Sequence, residues 1–307
     1  MILRAPFPFF GGKSKVASRV WQAFGDVSSY VEPFFGSGAV LLSRPGSPGI
    51  ETINDVNCYV SNFWRSVQRA PQLVARWADQ PVIEVDLEAR HIWLETSLQT
   101  EMLRERLPVD PDYFDAQIAG WWLWGMGLWI GSGWCAGTGK IAKGLPHLSG
   151  EGGASGRGIF ASGKPDGVVY DWMEALAQRL RRVRVCCGDF ERVLGPAVTT
   201  CIGVTGVFFD PPYPSENRKP TIYGVHDDKD VAGRARDWAI EHGEDSSMRI
   251  ALCGYEGEHQ MPGDWEVFEW KSAGGNAKRE EARENSERER IWFSPGCLGA
   301  RQRLLAL

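Results

Sequence analysis

The residues best suited to chemistry are Asp210-Pro211-Pro212-Tyr213, which close the apolar run from Gly206 to Phe209. Proline has no N–H and fixes φ, so the backbone after Asp210 leaves its strand rigidly, with the carbonyls and the Tyr213 ring held in place. Acceptors placed in this way suit attack by an aromatic amine. The lone pair of such an amine is delocalised into its ring. Asp210 and the Pro211 carbonyl, each taking one of its hydrogens, would draw that pair out of conjugation as charge develops. Tyr213 offers a face on which a base lifted from its stack can lie. The amines of adenine and cytosine both meet these requirements. The same four residues would also make an ordinary strand-to-loop turn with an acid at its end.

The elements needed to hold this corner are legible around it. Val207 to Phe209 has the apolar, β-branched and aromatic character of a strand covered on both faces, and open α/β sheets bind ligands at the carboxyl ends of such strands. Tyr30 to Gly38 predicts a second strand, a glycine turn and a helix start, where Gly36 and Gly38 let a ligand lie against free N–H groups. Position 41 is Leu, so the full Gly-x-Gly-x-x-Gly dinucleotide pattern is absent. Glu51 to Asn57 predicts a third strand. It ends in Asp55, at the distance from the glycine turn where Rossmann-like folds set a carboxylate on ribose hydroxyls.

Ahead of these, Phe7 to Lys13 is an aromatic segment meeting a Gly11-Gly12 turn. Lys13 there is either a solvated lysine or a cation within reach of a carboxylate or phosphate. A helix with Val16, Val20 and Phe24 on one face follows, and another carries Val60, Phe63, Trp64 and Val67 up to Ala70-Pro71. Tyr170 to Arg182 predicts a helix and Val183 to Cys187 a strand ending at Gly188-Asp189-Phe190, where Asp189 either caps a helix or joins Phe190 in holding a purine. Asp230 to His242 predicts a helix with Val231, Ala235 and Trp238 on one face. Strands are expected at Arg249–Cys253, Trp265–Trp270 and Ile291–Phe293. The mixed-charge run from Ser272 to Arg290 is expected to be a solvated loop.

Residues 80–167 break this strand-helix rhythm. Glu84 to Arg106 predicts one charged helix, and the tryptophans between 121 and 134 are dense enough to form a core. The glycine-rich stretch 131–167 carries Lys140, Lys143, Arg157 and Lys164 without an apolar pattern, which reads as a DNA-contacting loop, since long loops inside compact domains are usually functional.

At 307 residues the chain can bury a full core, and its net charge of -5 confines any nucleic-acid surface to a local patch. Seven cysteines without a Cys-x-x-Cys pair indicate a reducing compartment and neither a disulfide framework nor a zinc ribbon. No metal is expected. The start of the chain lacks the apolar core of a leader, and the most apolar window, Ile118 to Ile130, is too short to span a bilayer.

Phe9 to Lys13, Tyr30 to Gly38, Asn54-Asp55-Val56-Asn57, Gly188-Asp189-Phe190 and Asp210 to Tyr213, in this order, make the chain resemble the Dam-like family of adenine-specific DNA methyltransferases, in particular its phage and prophage members. The resemblance implies an α/β, Rossmann-like S-adenosylmethionine-dependent methyltransferase fold. Its mixed seven-stranded sheet has helices on both faces and an antiparallel last strand. Residues 1–79 and 168–307 would form the methyltransferase domain and 80–167 an inserted target-recognition region. Phe9, Gly12, Lys13, Glu32, Pro33, Phe34, Gly36 and Gly38 would line the methyl-donor site. Asp55 would take the ribose, and Asp189 with Phe190 the cofactor's adenine. Asp210, Pro211, Pro212 and Tyr213 would hold the flipped base, and Lys140, Lys143, Arg157, Lys164 and Arg218 would contact double-stranded DNA. Phe9 departs from the pattern, since the type member has tryptophan there. The expected function is methylation of adenine in DNA by a cytoplasmic enzyme of a bacterial or phage-infected cell. Methylation of cytosine's amine, or a silent DNA-binding protein on the same fold, are the alternatives. A monomer is compatible with the sequence, and neither the recognition site nor a restriction partner can be read from it.

Overall fold

The computed structural model describes residues 3–9, 12–46, 49–129, 134–135, 158–160, 168–212, 230–271 and 287–299. In chain order these form α1 Ala17–Phe24, β1 Ser29–Glu32, α2 Ala39–Leu42, β2 Ile50–Asp55, α3 Cys58–Arg69, α4 Pro71–Ala78, α5 Glu84–Thr96, α6 Leu98–Arg106, α7 Ala116–Leu128 and α8 Val168–Leu180. They continue with β3 Arg184–Cys187, β4 Thr205–Phe209, α9 Val231–His242, β5 Met248–Tyr255, β6 Glu266–Glu269 and β7 Glu289–Phe293. The mixed sheet has seven strands. The chain divides into two compact units. One is Met1–Phe9, Val56–Gly188 and Lys219–Asp227, and the other Phe10–Asp55, Asp189–Arg218 and Asp228–Leu307.

The second unit contains six of the strands, in the order β2-β1-β4-β5-β7-β6. β2, β1, β4 and β5 run parallel, and β7 is antiparallel to both β5 and β6. Parallel strands need cover on both faces, and β1 and β4 are buried at every position. α1 follows a single 3-10 turn at Lys13–Lys15 and buries Val20, Trp21 and Phe24. Gly206 in β4 lets Phe24 approach, because a Cβ there would lie 2.8 Å from the Phe24 ring. Trp21 donates its indole N–H to the Val40 carbonyl at 2.8 Å, which ties α1 to α2.

The other unit is helical, with β3 as its strand. α4 packs on α7 and α8, and α3 on α7. Trp64, Trp122 and Trp124 are buried, so the tryptophans here are largely core. Asp115 caps α7 through Ile118 N–H, and its backbone exchanges hydrogen bonds with the Asn62 side chain. No helix among the described residues is long and apolar enough to cross a membrane.

Two expectations are corrected and two are refined. The charged segment is two helices, because Ser97 leaves the helical conformation and caps α6 by accepting Thr100 N–H at 3.3 Å. α3 ends at Arg69 with Ala70 as its cap, as Ala70-Pro71 predicted, and Pro71 in addition opens α4, at a first turn where a missing N–H costs little. α9 buries Ala232, Ala235 and Ala239, and Trp238 on the same helix is half-buried, its ring centre 5.4 Å from that of Phe209 in β4 and stacked on His242 at 4.0 Å. Finally, the mixed-charge run does not stay solvated to its end, since Glu289 and Arg290 belong to β7 and are buried.

Candidate active site

The carboxyl ends of β1, β2 and β4 place three acids, Glu32, Asp55 and Asp210, in the second unit. Glu32 closes β1 and is buried, and it accepts the Tyr30 hydroxyl at 2.8 Å. Burial pushes its carboxyl well above the usual carboxylate range, and the charge of Asp210 adds to this. Pro33, Phe34 and the glycine turn follow. Gly36 and Gly38 have φ of 49° and 71°, a left-handed conformation that glycine adopts without strain. The turn is knitted to β2 by Phe35 N–H to Asn54 O at 2.9 Å and Asn54 Nδ2 to Pro33 O at 3.1 Å. Asp55 completes it, since Oδ2 accepts Gly36 N–H at 2.9 Å.

Beside this turn, Phe34 stacks on Phe190 with ring centres 5.2 Å apart, and Phe209 meets both rings. Asp189 is exposed and caps the 3-10 turn Phe190–Val193 through Glu191 N–H. Arg234 of α9 reaches over from the same unit. Its Nη2 lies 3.1 Å and 3.0 Å from the two Asp189 oxygens and 2.7 Å from Glu191 Oε1, and its guanidinium carbon is 5.0 Å from the Phe190 ring centre. These acceptors, Glu191 first, raise the Arg234 pKa despite partial burial. Phe190 is thereby buried between Phe34, Phe209 and the guanidinium. An adenine ring can lie against Phe190 once Arg234 lifts. Sequence reasoning missed Arg234 because a helical arginine carries no local mark of its partner.

At the β4 end, Lys13 Nζ is 2.8 Å from Asp210 Oδ1 and 4.0 Å from Glu289 Oε2, with the lysine and glutamate side chains each only 4% exposed. The Trp270 ring centre is 5.6 Å from the ammonium. Burial alone would lower the Lys13 pKa, but the charge of Asp210 first, and then that of Glu289, outweigh it and the net shift is upward. Lys13 is therefore held as a cation against the acid of the Asp-Pro-Pro-Tyr corner, the second of the two readings its sequence allowed. Pro211 is buried and Pro212 half-buried. Gly12 is exposed and stands before the Lys13–Lys15 turn. Phe9 belongs to the helical unit, where its ring meets Phe7 edge-on at 6.0 Å. Tyr213, Lys140, Lys143, Arg157, Lys164 and Arg218 lie outside the described residues.

A sulfonium-bearing nucleoside fits this donor set. It brings a positive centre, a diol and a purine, and the unit offers acids at the ends of parallel strands, a glycine turn at Gly36 and Gly38, and aromatic rings beside Asp189. Residues 9–82 match the family model of the D12 class N6 adenine-specific DNA methyltransferases. No curated protein matches the chain.

Proposed function

We propose that this chain, whose residues 9–82 match the family model of the D12 class of N6 adenine-specific DNA methyltransferases, transfers a methyl group from S-adenosylmethionine to the exocyclic amine of adenine in DNA. The bound donor supplies a methyl group activated by its sulfonium. The backbone turn at Pro33 to Gly38, set by Asp55, receives the donor's ribose and amino acid part, and Asp189 with Phe190 its adenine. Asp210 accepts a hydrogen bond from the target amine, and the Pro211 carbonyl accepts the other. With the amine held by Asp210 and the Pro211 carbonyl, its nitrogen would take the methyl carbon, and the donor's sulfur would keep the electron pair of the broken carbon–sulfur bond. The nitrogen then sheds one proton, which Asp210 is placed to take or pass to water. Acceptors that are already oriented favour the charge developing on nitrogen more than they favour the neutral amine, which is how they raise the rate.

Lys13 orients Asp210. One carboxylate oxygen is fixed at 2.8 Å from the ammonium, which limits rotation of the side chain. This ion pair is the observation that carries the reading. A mere strand-to-loop turn has no use for a buried lysine held on its acid, because burying a charge pair costs several kcal/mol of desolvation. The adenine is reached by turning it out of a duplex onto Tyr213, with residues 80–167 reading the target and Lys140, Lys143, Arg157, Lys164 and Arg218 meeting phosphates. We place the reaction in the cytoplasm.

The test is mass spectrometry of nucleosides from DNA treated with the protein and a labelled methyl donor. Label is expected on adenine, and a loss on the order of 100-fold or more in rate is expected in Asp210→Asn. Asn is preferable to Ala, because its amide oxygen can still accept a hydrogen bond from the Lys13 ammonium, whereas Asp210→Ala removes charge and acceptor together, at a cost near the low end of the roughly 3–5 kcal/mol for breaking buried pairs. Label on cytosine, or full activity in the Asn variant, would refute the assignment of Asp210.

A further inference from the structure

We propose that Glu289 is a positioning residue for methyl transfer: by sharing Lys13 with Asp210, it keeps the Asp210 carboxylate effectively anionic towards the target amine. The inference rests on the reading that Asp210 receives that amine, and it adds a residue that the motif does not contain.

The argument is one of charge. A single ammonium at 2.8 Å from a carboxylate offsets most of its field in a site shielded from water. An Asp210 neutralised in that way would be a poor partner for an amine that turns positive as its bond to methyl forms. Glu289 changes the sum. Its Oε2 is 4.0 Å from the same Nζ, it is buried as deeply as the lysine, and the two acids against one base leave one negative charge on the group. Trp270 holds the ammonium from a third side.

The fold fixes this arrangement. Lys13 comes from the turn before α1, Asp210 from the end of β4, and Glu289 from β7, which pairs with β5 through Tyr255 opposite Glu289. β5 in turn pairs with β4, with Leu252 opposite Phe209, the residue before Asp210. The sheet register therefore sets both carboxylates against one lysine. The other acid of the neighbourhood, Glu32 on β1, is bonded to Tyr30. The thiol of Cys253, on β5, is pushed up by burial and by Asp210 and so stays protonated. Burying a second carboxylate is costly, and an apolar residue at 289 would have served the sheet equally well.

Two measurements decide the matter. The first compares Glu289→Gln, which keeps shape and removes charge, with Glu289→Asp, which keeps charge and loses length. Single-turnover transfer at saturating donor and DNA should fall about tenfold or more in Gln and less in Asp, while calorimetry finds donor affinity within about twofold of the parent in both. A Gln variant at least as fast as Asp, or one that loses donor binding together with rate, would overturn the proposal, because shape rather than charge would then matter.

The second measurement is read on stability alone and stands whether or not adenine is methylated. In a denaturant-unfolding cycle of Asp210→Asn and Glu289→Gln, two acids sharing one lysine make the second removal more costly than the first. The double variant should be destabilised at least about tenfold in its unfolding constant beyond the sum of the single effects. Additive effects would show that Glu289 does not share Lys13. A coupled cycle with no label on adenine would leave the sharing standing and refute the functional reading instead.

Discussion

The Asp55 carboxylate accepts the backbone N–H of Gly36 at 2.9 Å, so the acid at the end of β2 sets the glycine turn at the end of β1. One residue thus orients a turn and faces the place where a ribose would lie.

Asp55→Ala leaves the Gly36 N–H without this acceptor and removes the ribose partner together. A hydrogen bond to a charged group contributes roughly 1.5–3 kcal/mol, so affinity for S-adenosylmethionine should drop on the order of 10- to 100-fold, with a melting temperature lower by a few degrees. Asp55→Asn keeps an oxygen for Gly36 and should hold the melting temperature near the parent while still binding the donor more weakly. Calorimetry and thermal unfolding of the two variants check this. Donor affinity in Asn equal to the parent would mean that the carboxylate only sets the turn.

Arg234 covers Phe190, the ring on which we propose that the donor's adenine lies, and is bonded to Asp189 and Glu191. Both acids are more than half exposed, so the ion pairs stabilise the fold little, by about 1 kcal/mol or less. Arg234→Ala should leave the melting temperature nearly unchanged. It should also tighten donor binding roughly threefold to fivefold, since the competing guanidinium is gone. Weaker binding in this variant would show that the guanidinium contacts the donor instead of making way for it.

His259 is buried beside Trp292, and burial lowers its pKa to about 4. In the unfolded chain a histidine titrates near 6.5. Between these values the unfolded chain binds more protons than the fold, so this contribution to stability is complete above about pH 6.5 and is lost as pH falls towards 4, to a total of about 3 kcal/mol. His259→Gln removes the titration. Denaturant midpoints taken from pH 7 to pH 4 should fall less steeply in this variant, and parallel curves would mean that His259 already titrates normally in the fold.

Much of the fold could be read locally. The strand, glycine turn and helix start from Tyr30 to Val40, the acid at the end of β2 and the stop after β4 are each written in about ten residues. Apolar runs and the backbone limits of glycine and proline act at that range. Helix interruptions were less visible. The break at Ser97 depends on one side chain choosing to cap rather than continue, and α4 begins at a proline that equally marks the end of α3. The fully buried positions of α9 are alanines, and Trp238 reaches Phe209 from a half-buried position beside them.

By itself, then, the sequence determined the order of the motifs and the chemistry that Asp210 to Tyr213 could perform. Tertiary structure alone decided which charges meet. Lys13, Asp210 and Glu289 are far apart along the chain, and the residues around any one of them do not mark the other two as its partners. Glu289 in particular stands at the end of a run of alternating charges, the usual mark of a solvated loop. Whether a charged side chain is buried depends on the opposite charge that distant strands bring to within a few ångströms of it, and that is fixed by sheet register, not by the residues on either side of it in sequence.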